Sequence, residues 1–211
     1  MFDSLRHELA RRQIAATAVV LPGDSGPAQE GALRLRADDA RGGWSLETVD
    51  YGRPFPLGAA HDADGASAML LSYLDRPLPE PRAPEAHEIE AAVDAVTSHL
   101  SELHDRASAE PLLATLPAEV PIDRIGALDG TMLFPYGTAY EARSLPPVGV
   151  LAPGSARHAF LTRADILVRV EVAAPWFGQR GGGLRLTLAD DFVGVRDLVV
   201  AGALERIRVE A

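Results

Sequence analysis

Residues 175–183 read Pro-Trp-Phe-Gly-Gln-Arg-Gly-Gly-Gly and combine two large aromatic rings, an amide, a guanidinium and three consecutive glycines. Three glycines in a row cost backbone entropy and supply no packing surface, so they indicate a tight turn or a close approach of the backbone to another group. Such a turn would expose the side chains of Gln179 and Arg180 at its edge, with Trp176 and Phe177 as an apolar or stacking surface. The alternative is a plain hairpin connection whose aromatic rings belong to the core.

The composition around this stretch is that of a soluble globular protein, with 47% hydrophobic and 24% charged residues over 211 positions. The chain has no cysteine, which excludes disulfides, a thiol nucleophile and thiolate metal sites. All of its basic side chains are arginines, which excludes Schiff-base and P-loop lysine chemistry.

The charge is unevenly distributed along the chain. A net charge of −10 argues against general nucleic-acid binding, which needs a basic surface. From Pro117 onward, however, 11 acidic residues stand against 10 arginines, so nearly all of the excess negative charge lies before that point. The C-terminal half could therefore hold an anionic ligand.

The N-terminus is polar, and no apolar run approaches the roughly 18 residues of a membrane span. We therefore expect no signal peptide and no membrane association. The protein would be cytoplasmic as synthesised, and any secretion or translocation would follow a signal-peptide-independent route.

Residues 1–76 have the pattern of a small β-β-α module. A short helix over residues 2–14 precedes alternating, strand-like segments at 33–36 and 44–49, and Asp62 or Asp64 could cap a helix that ends near Leu74. The role of this N-terminal module is not indicated by its sequence; an interaction module, a delivery module and a cover over a cleft all remain open.

Residues 77–110 form a linking segment. Its proline-rich start, residues 77–84, predicts a stiff extended linker, and Pro84 suits the first position of a helix that runs to about Ala107. Apolar residues spaced 4, 3, 4 and 3 apart predict one stripe along this helix, namely Ile89, Val93, Val96, Leu100 and Leu103. The stripe could pair two chains, although docking within the chain is favoured.

Residues 111–211 are rich in strands. Alternation predicts strands at 158–161, 166–172, 184–188 and 204–209, with a short helix over 195–201. The predicted fold class is α+β: a strand-rich C-terminal domain preceded by the small N-terminal module and the linking helix.

Four blocks of the C-terminal half resemble a known domain in their order and spacing. They are Asp123-Arg124-Ile125-Gly126; Gly130, Leu133, Pro135, Gly137 and Thr138; Glu141 with Arg143-Ser144-Leu145-Pro146-Pro147; and His158 followed by residues 174–183. Together they resemble the tuberculosis necrotizing toxin (TNT) domain, a family of NAD(P)+ glycohydrolases, over about 95 residues from near Pro117.

The resemblance implies an enzyme that cleaves the nicotinamide–ribose bond of NAD+ or NADP+ and acts as a toxin or effector. Carried over by position, it implies Gln179, Arg143 and Arg124 as catalytic residues. The substrate-binding residues that we expect beside them are His158, Phe177, Trp176, Tyr136 and Arg180. The family also implies a cognate immunity protein as partner, and a dinucleotide substrate with no further cofactor.

This chemistry suits the residue types present. The leaving nitrogen of NAD+ is already positively charged, so nicotinamide departs without the acid that an ordinary glycosidase requires. Arginines bind pyrophosphate oxygens in a bidentate manner, and an amide can orient ribose hydroxyls or water without adding positive charge beside a developing cation. No spacing of His, Asp or Glu indicates a metal site.

Several positions depart from the family pattern, namely Ile125, Met132, Arg180 and Arg185. They leave open a second function, a catalytically inactive module that binds a dinucleotide or ADP-ribose. A third is ADP-ribosyl transfer, which usually needs a catalytic glutamate; Glu171 is available, but the sequence does not place it.

Overall fold

The N-terminal module is a four-stranded sheet packed against two helices. We analysed a computed structural model, which describes residues 1–26, 28–40, 42–50, 52–147 and 156–208. The strands lie in the order β1-β2-β3-β4, and Leu5, Leu35, Leu46 and Leu70 share one core between sheet and helices. The elements of this module are α1 Asp3–Arg11, β1 Val19–Val20, β2 Leu33–Ala37, β3 Trp44–Asp50, β4 Arg53–Ala60 and α2 Ala63–Leu74.

The predicted β-β-α pattern corresponds to β2, β3 and α2. Of the two candidate caps, Asp62 begins α2, because its side chain accepts a hydrogen bond from the Gly65 N–H at 2.8 Å. Strand β4 was not predicted, since Pro54 and Pro56 indicate a loop. It lies at the edge of the sheet, where one side of the strand has no neighbouring strand. A proline there, which has no N–H, costs the sheet no hydrogen bond.

The C-terminal part is a seven-stranded antiparallel sheet with helices around it. Its strands lie in the order β11-β8-β6-β7-β10-β9-β5, so the predicted α+β class with a strand-rich C-terminal half is confirmed. The elements are α3 Ala86–Ala109, β5 Leu112–Leu116, β6 Pro121–Gly126, β7 Met132–Pro135, α4 Tyr140–Arg143, β8 Ala156–Thr162, β9 Ile166–Val172, β10 Leu184–Leu188, α5 Val195–Val200 and β11 Leu204–Ile207.

The long helix α3 packs on one face of this sheet. It begins at Ala86 after the N-cap Glu85, two residues later than Pro84 predicted. Leu103 and Ala107 are buried in the same core cluster as Val168 of β9, so the apolar stripe docks within the chain. No helix among the described residues is long and apolar enough to cross a bilayer.

The opposite face of the sheet is directed away from α3. Strand β9 alternates: Val168 and Val170 are buried in the core, whereas Leu167 and Arg169 are exposed. Strand β4 of the N-terminal module approaches this outer face, since Phe55 packs against a small cluster that contains Met132 and Phe134 of β7. The arrangement leaves a cleft between β4 and the outer face of β9 and β10.

The three glycines attach the 175–183 segment to the rest of the domain through backbone contacts. The N–H groups of Gly181 and Gly183 donate to the carbonyls of Glu141 and Ala142 in α4, at 3.0 and 2.9 Å. A Cβ on Gly181 would lie 2.4 Å from the Ala173 carbonyl oxygen, and one on Gly183 would lie 2.8 Å from that of Ala142. These glycines are therefore required for close packing of backbone on backbone.

The packing of α3 predicts an unequal effect of two identical substitutions. Leu103→Ala removes a side chain that is 2% exposed, whereas Leu113→Ala removes one that is 64% exposed. We expect Leu103→Ala to lower the free energy of unfolding by about 2–5 kcal/mol and Leu113→Ala by less than about 0.5 kcal/mol. Urea unfolding measures both, and equal losses would contradict the docking of α3.

The glycine run gives a second matched pair. Gly181 and Gly182 both have positive φ, 67° and 91°, but only at Gly181 would a Cβ meet other atoms. We expect Gly181→Ala to lower the free energy of unfolding by about 1–3 kcal/mol more than Gly182→Ala, because of overpacking. Thermal or urea unfolding tests this; equal stabilities would show that the close approach is not needed.

Candidate functional site

Residues 176–179 form a tight turn that carries two exposed aromatic rings. Phe177 and Gly178 have φ angles of 50° and 74°, and the Gln179 N–H donates to the Trp176 carbonyl at 2.8 Å, as in a type I′ turn. The rings of Trp176 and Phe177 stack with centroids 4.2 Å apart, and the two residues are 50% and 43% exposed. The rings therefore form a surface platform, and the core interpretation of these aromatics is wrong.

The Gln179 side chain is held in one orientation. Its Nε2 donates to the Leu145 carbonyl at 2.7 Å, and because a carbonyl only accepts, the amide nitrogen must face it. The Oε1 atom is buried and has no hydrogen-bond partner among the described residues. Gln179 thus keeps a fixed acceptor that the rest of the described protein does not use.

Arg143 is buried beneath this turn, at the end of α4. It is 1% exposed, its Nη2 lies 2.6 Å from Asp123 Oδ1, and its Nε and Nη2 donate to the Thr138 carbonyl. Arg157 binds the other oxygen of Asp123 at 2.7 Å and lies over the ring of Tyr136. Asp123 therefore joins two arginines, and Tyr136 belongs to this group.

Arg124 forms an ion pair with a residue of the N-terminal module, Asp50. Its Nη1 and Nη2 donate to the two carboxylate oxygens of Asp50 at 3.0 and 3.1 Å, and both side chains are nearly fully buried. Asp50 also accepts from the backbone N–H groups of Thr131 and Met132, at 2.9 and 3.1 Å. The guanidinium fits only because Gly130 has no Cβ, which would lie 1.9 Å from Nη2.

His158 lies opposite Arg124 on the neighbouring strand, and Arg180 lies at the surface. His158, on β8, lines a separate cavity of about 280 Å³ with Arg206 and Arg157. Burial lowers the pKa of His158, and the charges of Arg206 and Arg124 lower it further, so the neutral form is favoured. Arg180 is exposed on the rim of the turn, where it pairs with Glu141 at 3.4 Å.

The cleft between the two modules has a volume of about 670 Å³, within the usual range for a ligand site. Trp176 and Ser144 line it, as does Phe55 of β4. A cavity of similar volume, about 710 Å³, is lined only by residues of the N-terminal module between Arg6 and Gln29. It contains none of the motif residues, so the cleft is the better candidate.

Charged residues of the cleft come from three strands. Arg53 lies on β4, Arg169 and Glu171 on β9, and Arg185 on β10. The Nε of Arg185 donates a hydrogen bond to Glu171 Oε1, and its Nη2 lies 2.8 Å from the same oxygen. The Glu171 carboxylate is therefore held in an ion pair. ADP-ribosyl transfer would need a glutamate that is available for catalysis, and the ion pair with Arg185 does not leave Glu171 in that state.

The structure brings some of the sequence-predicted residues together and separates others. Trp176 lines the cleft, Gln179 lies in the turn behind it, and Arg143 is packed below that turn. Sequence reasoning missed Arg53 and Arg169. The alternation of β9 did place Arg169 on the face away from the core, whereas nothing local marked Arg53.

Comparisons with known proteins give the same assignment for the C-terminal half. The family model described as tuberculosis necrotizing toxin matches residues 115–207. A curated relative from Aspergillus fumigatus, the conidial surface nicotinamide adenine dinucleotide glycohydrolase nadA, is 34% identical over 95 residues, which are 42% of this chain. The chain spans about two fifths of the length of that relative, since the match covers 40% of it.

Two solved structures match part of this chain. One is the tuberculosis necrotizing toxin complexed with its immunity factor IFT, at 19% identity and a TM-score of 0.38, covering 48% of this chain and 58% of that one. The other is Tse6 in complex with Tsi6, at 13% identity and a TM-score of 0.33, covering 58% of this chain and 96% of that one. With TM-scores this low, the family assignment rests on the sequence matches.

The matched residues run from within β5 to the end of β11 and include the turn, Gln179 and both buried arginines. Over residues 115–207, this chain is similar to the tuberculosis necrotizing toxin family.

Proposed function

We propose that this chain is an NAD(P)+ glycohydrolase, a hydrolase that acts on an N-glycosyl bond. One observation supports the proposal most directly: within a TNT-family domain, Gln179 is oriented by the Leu145 carbonyl and keeps a buried acceptor oxygen unused by the described protein. The catalytic unit in this proposal is residues 111–211, joined through residues 77–110 to the module of residues 1–76.

The proposed reaction breaks the bond between the nicotinamide nitrogen and the ribose C1′ carbon. The bonding electron pair leaves with the nitrogen, which neutralises its positive charge, and nicotinamide departs without a proton. Water adds to C1′ and loses one proton, giving ADP-ribose. No metal or cofactor takes part in this scheme; the enzyme needs only to hold the dinucleotide, stabilise an oxocarbenium-like centre and orient one water.

Gln179 is the proposed central catalytic residue. Its Oε1 would accept a hydrogen bond from the attacking water or from a ribose hydroxyl, after a small movement of the turn that exposes this buried atom. A neutral acceptor avoids placing positive charge beside the developing cation. The glycine contacts with α4 keep this oxygen in place.

The exposed platform of Trp176 and Phe177 would bind the nicotinamide end of the substrate. The two stacked rings offer a flat apolar surface next to Gln179, and aromatic faces of this kind attract both rings and cations. In this arrangement Arg180 stands at the entrance, where it pairs with Glu141.

Arg143 and Arg124 have support roles in this scheme. Their guanidinium groups are bound to Asp123 and Asp50, and a direct phosphate contact would require either arginine to exchange a buried carboxylate partner. Phosphate contacts of these two arginines and substrate binding by His158 stay predictions.

An enzyme that consumes NAD+ endangers the cell that makes it. We therefore propose that the protein is a toxin or effector that acts outside the cell that makes it. We also propose that a cognate immunity protein covers the turn and the cleft. Residues 176–179 would be central to that contact, because large exposed aromatic residues are typical anchors of protein interfaces.

A second candidate function is binding without turnover. It is favoured by one observation, the engagement of both motif arginines by buried carboxylates. A module of this kind would bind NAD+ or ADP-ribose and release no nicotinamide.

Gln179→Ala tests the proposed function. Removal of one fixed hydrogen-bonding group at a reacting centre should lower kcat by about 100-fold or more, measured as nicotinamide release from NAD+ by the purified 211-residue chain. Gln29→Ala is the matched control, since Gln29 is an exposed glutamine of the N-terminal module, and it should retain full activity.

Two results would contradict the proposal. Equal activity of Gln179→Ala and Gln29→Ala would remove Gln179 from catalysis. No nicotinamide release by the wild-type protein, together with measurable ADP-ribose binding by calorimetry, would establish the binding module instead.

A further inference from the structure

Two arginines that have no counter-ion among the described residues line the same cleft. Arg53 comes from β4 of the N-terminal module and Arg169 from the outer face of β9, and both line the same cavity. Most arginines of the described chain form ion pairs, but neither of these forms an ion pair or a side-chain hydrogen bond with another described residue. In a chain of net charge −10, this convergence indicates a site for an anion.

Buried hydroxyls border the same site. Thr187 is 8% exposed and lines the cleft, and its Oγ1 has no hydrogen-bond partner among the described residues. The same is true of Thr131 Oγ1, which lines an adjoining cavity of about 270 Å³ that shares Phe55, Arg169 and Thr187 with the cleft. A buried hydroxyl without a partner is costly, and a ligand rich in acceptor oxygens would satisfy it.

The acidic residues nearby limit where the anion can bind. Glu171, the acidic residue of the cleft lining, is engaged by Arg185. Asp190 and Asp191 line the adjoining cavity and would repel an anion there. The remaining positive position is between Arg53 and Arg169.

We infer that the cleft binds the pyrophosphate of a dinucleotide between Arg53 and Arg169, with the Thr187 hydroxyl as a further donor. This inference rests on the proposed function, because Trp176, at one end of the same cleft, begins the turn that carries Gln179. The planar guanidinium of arginine suits pyrophosphate, since it binds two oxygens at once. The substrate site is then composite, and the N-terminal module supplies one wall of it.

The experiment compares three arginine-to-alanine variants of the 211-residue chain. Arg53→Ala and Arg169→Ala each remove one charge from the cleft. Arg106→Ala removes the same charge from an exposed arginine of α3, outside the cleft. Two quantities are measured: ADP-ribose affinity by calorimetry, and kcat and KM for NAD+.

We expect each cleft variant to weaken ADP-ribose binding by roughly 10-fold or more, the value of one charged hydrogen-bonding group. KM for NAD+ should rise by a similar factor with little change in kcat, because the pyrophosphate is bound equally in the ground and transition states. Arg53→Lys should restore part of the affinity, and Arg106→Ala should match the wild type.

The outcomes separate this inference from the proposed function. If the wild type hydrolyses NAD+ and both cleft variants match Arg106→Ala, the inference is wrong and the function stands. If the wild type releases no nicotinamide but binds ADP-ribose in a manner that depends on Arg53, the inference stands without the function. Absence of both hydrolysis and binding would overturn both.

Discussion

The buried carboxylate of Asp50 is the interaction on which the arrangement of the two modules depends. It lies at the end of β3 in one module and binds a guanidinium and two backbone N–H groups of the other. Removing two charges from water costs several kcal/mol per ion, so such a pair persists only with good geometry and with its hydrogen bonds satisfied. Here both carboxylate oxygens are engaged, and the ion pair therefore fixes β4, the next strand, across the outer face of β9 and β10.

A second constraint acts within the C-terminal domain, where a glycine backbone packs directly on α4. It holds the turn of residues 176–179, and with it Gln179, against the domain. The two constraints together place the Gln179 amide and an aromatic platform beside a cleft whose other wall carries Arg53. The N-terminal module, which lies outside the family match, thereby becomes part of the proposed substrate site.

Local patterns were sufficient to predict much of this structure. The alternation that predicted strands at 166–172 and 184–188 gave β9 and β10 with the observed bounds, and the glycines predicted the turn. Strand β4 was missed because its prolines imitate a loop, and edge strands tolerate them. The sequence around Asp50 and Arg53 does not indicate a functional role for either residue. Their roles depend on the residues of the other module that tertiary packing places beside them.

The most direct test of this arrangement is a double-mutant cycle on Asp50→Asn and Arg124→Gln, followed by urea unfolding. Each single variant leaves one buried charge without its partner and should lower the free energy of unfolding by about 3–5 kcal/mol. The free energy of unfolding lost by the double variant should be close to that lost by either single variant, because the two partners form one ion pair. Additive losses would contradict the ion pair and the cleft that depends on it.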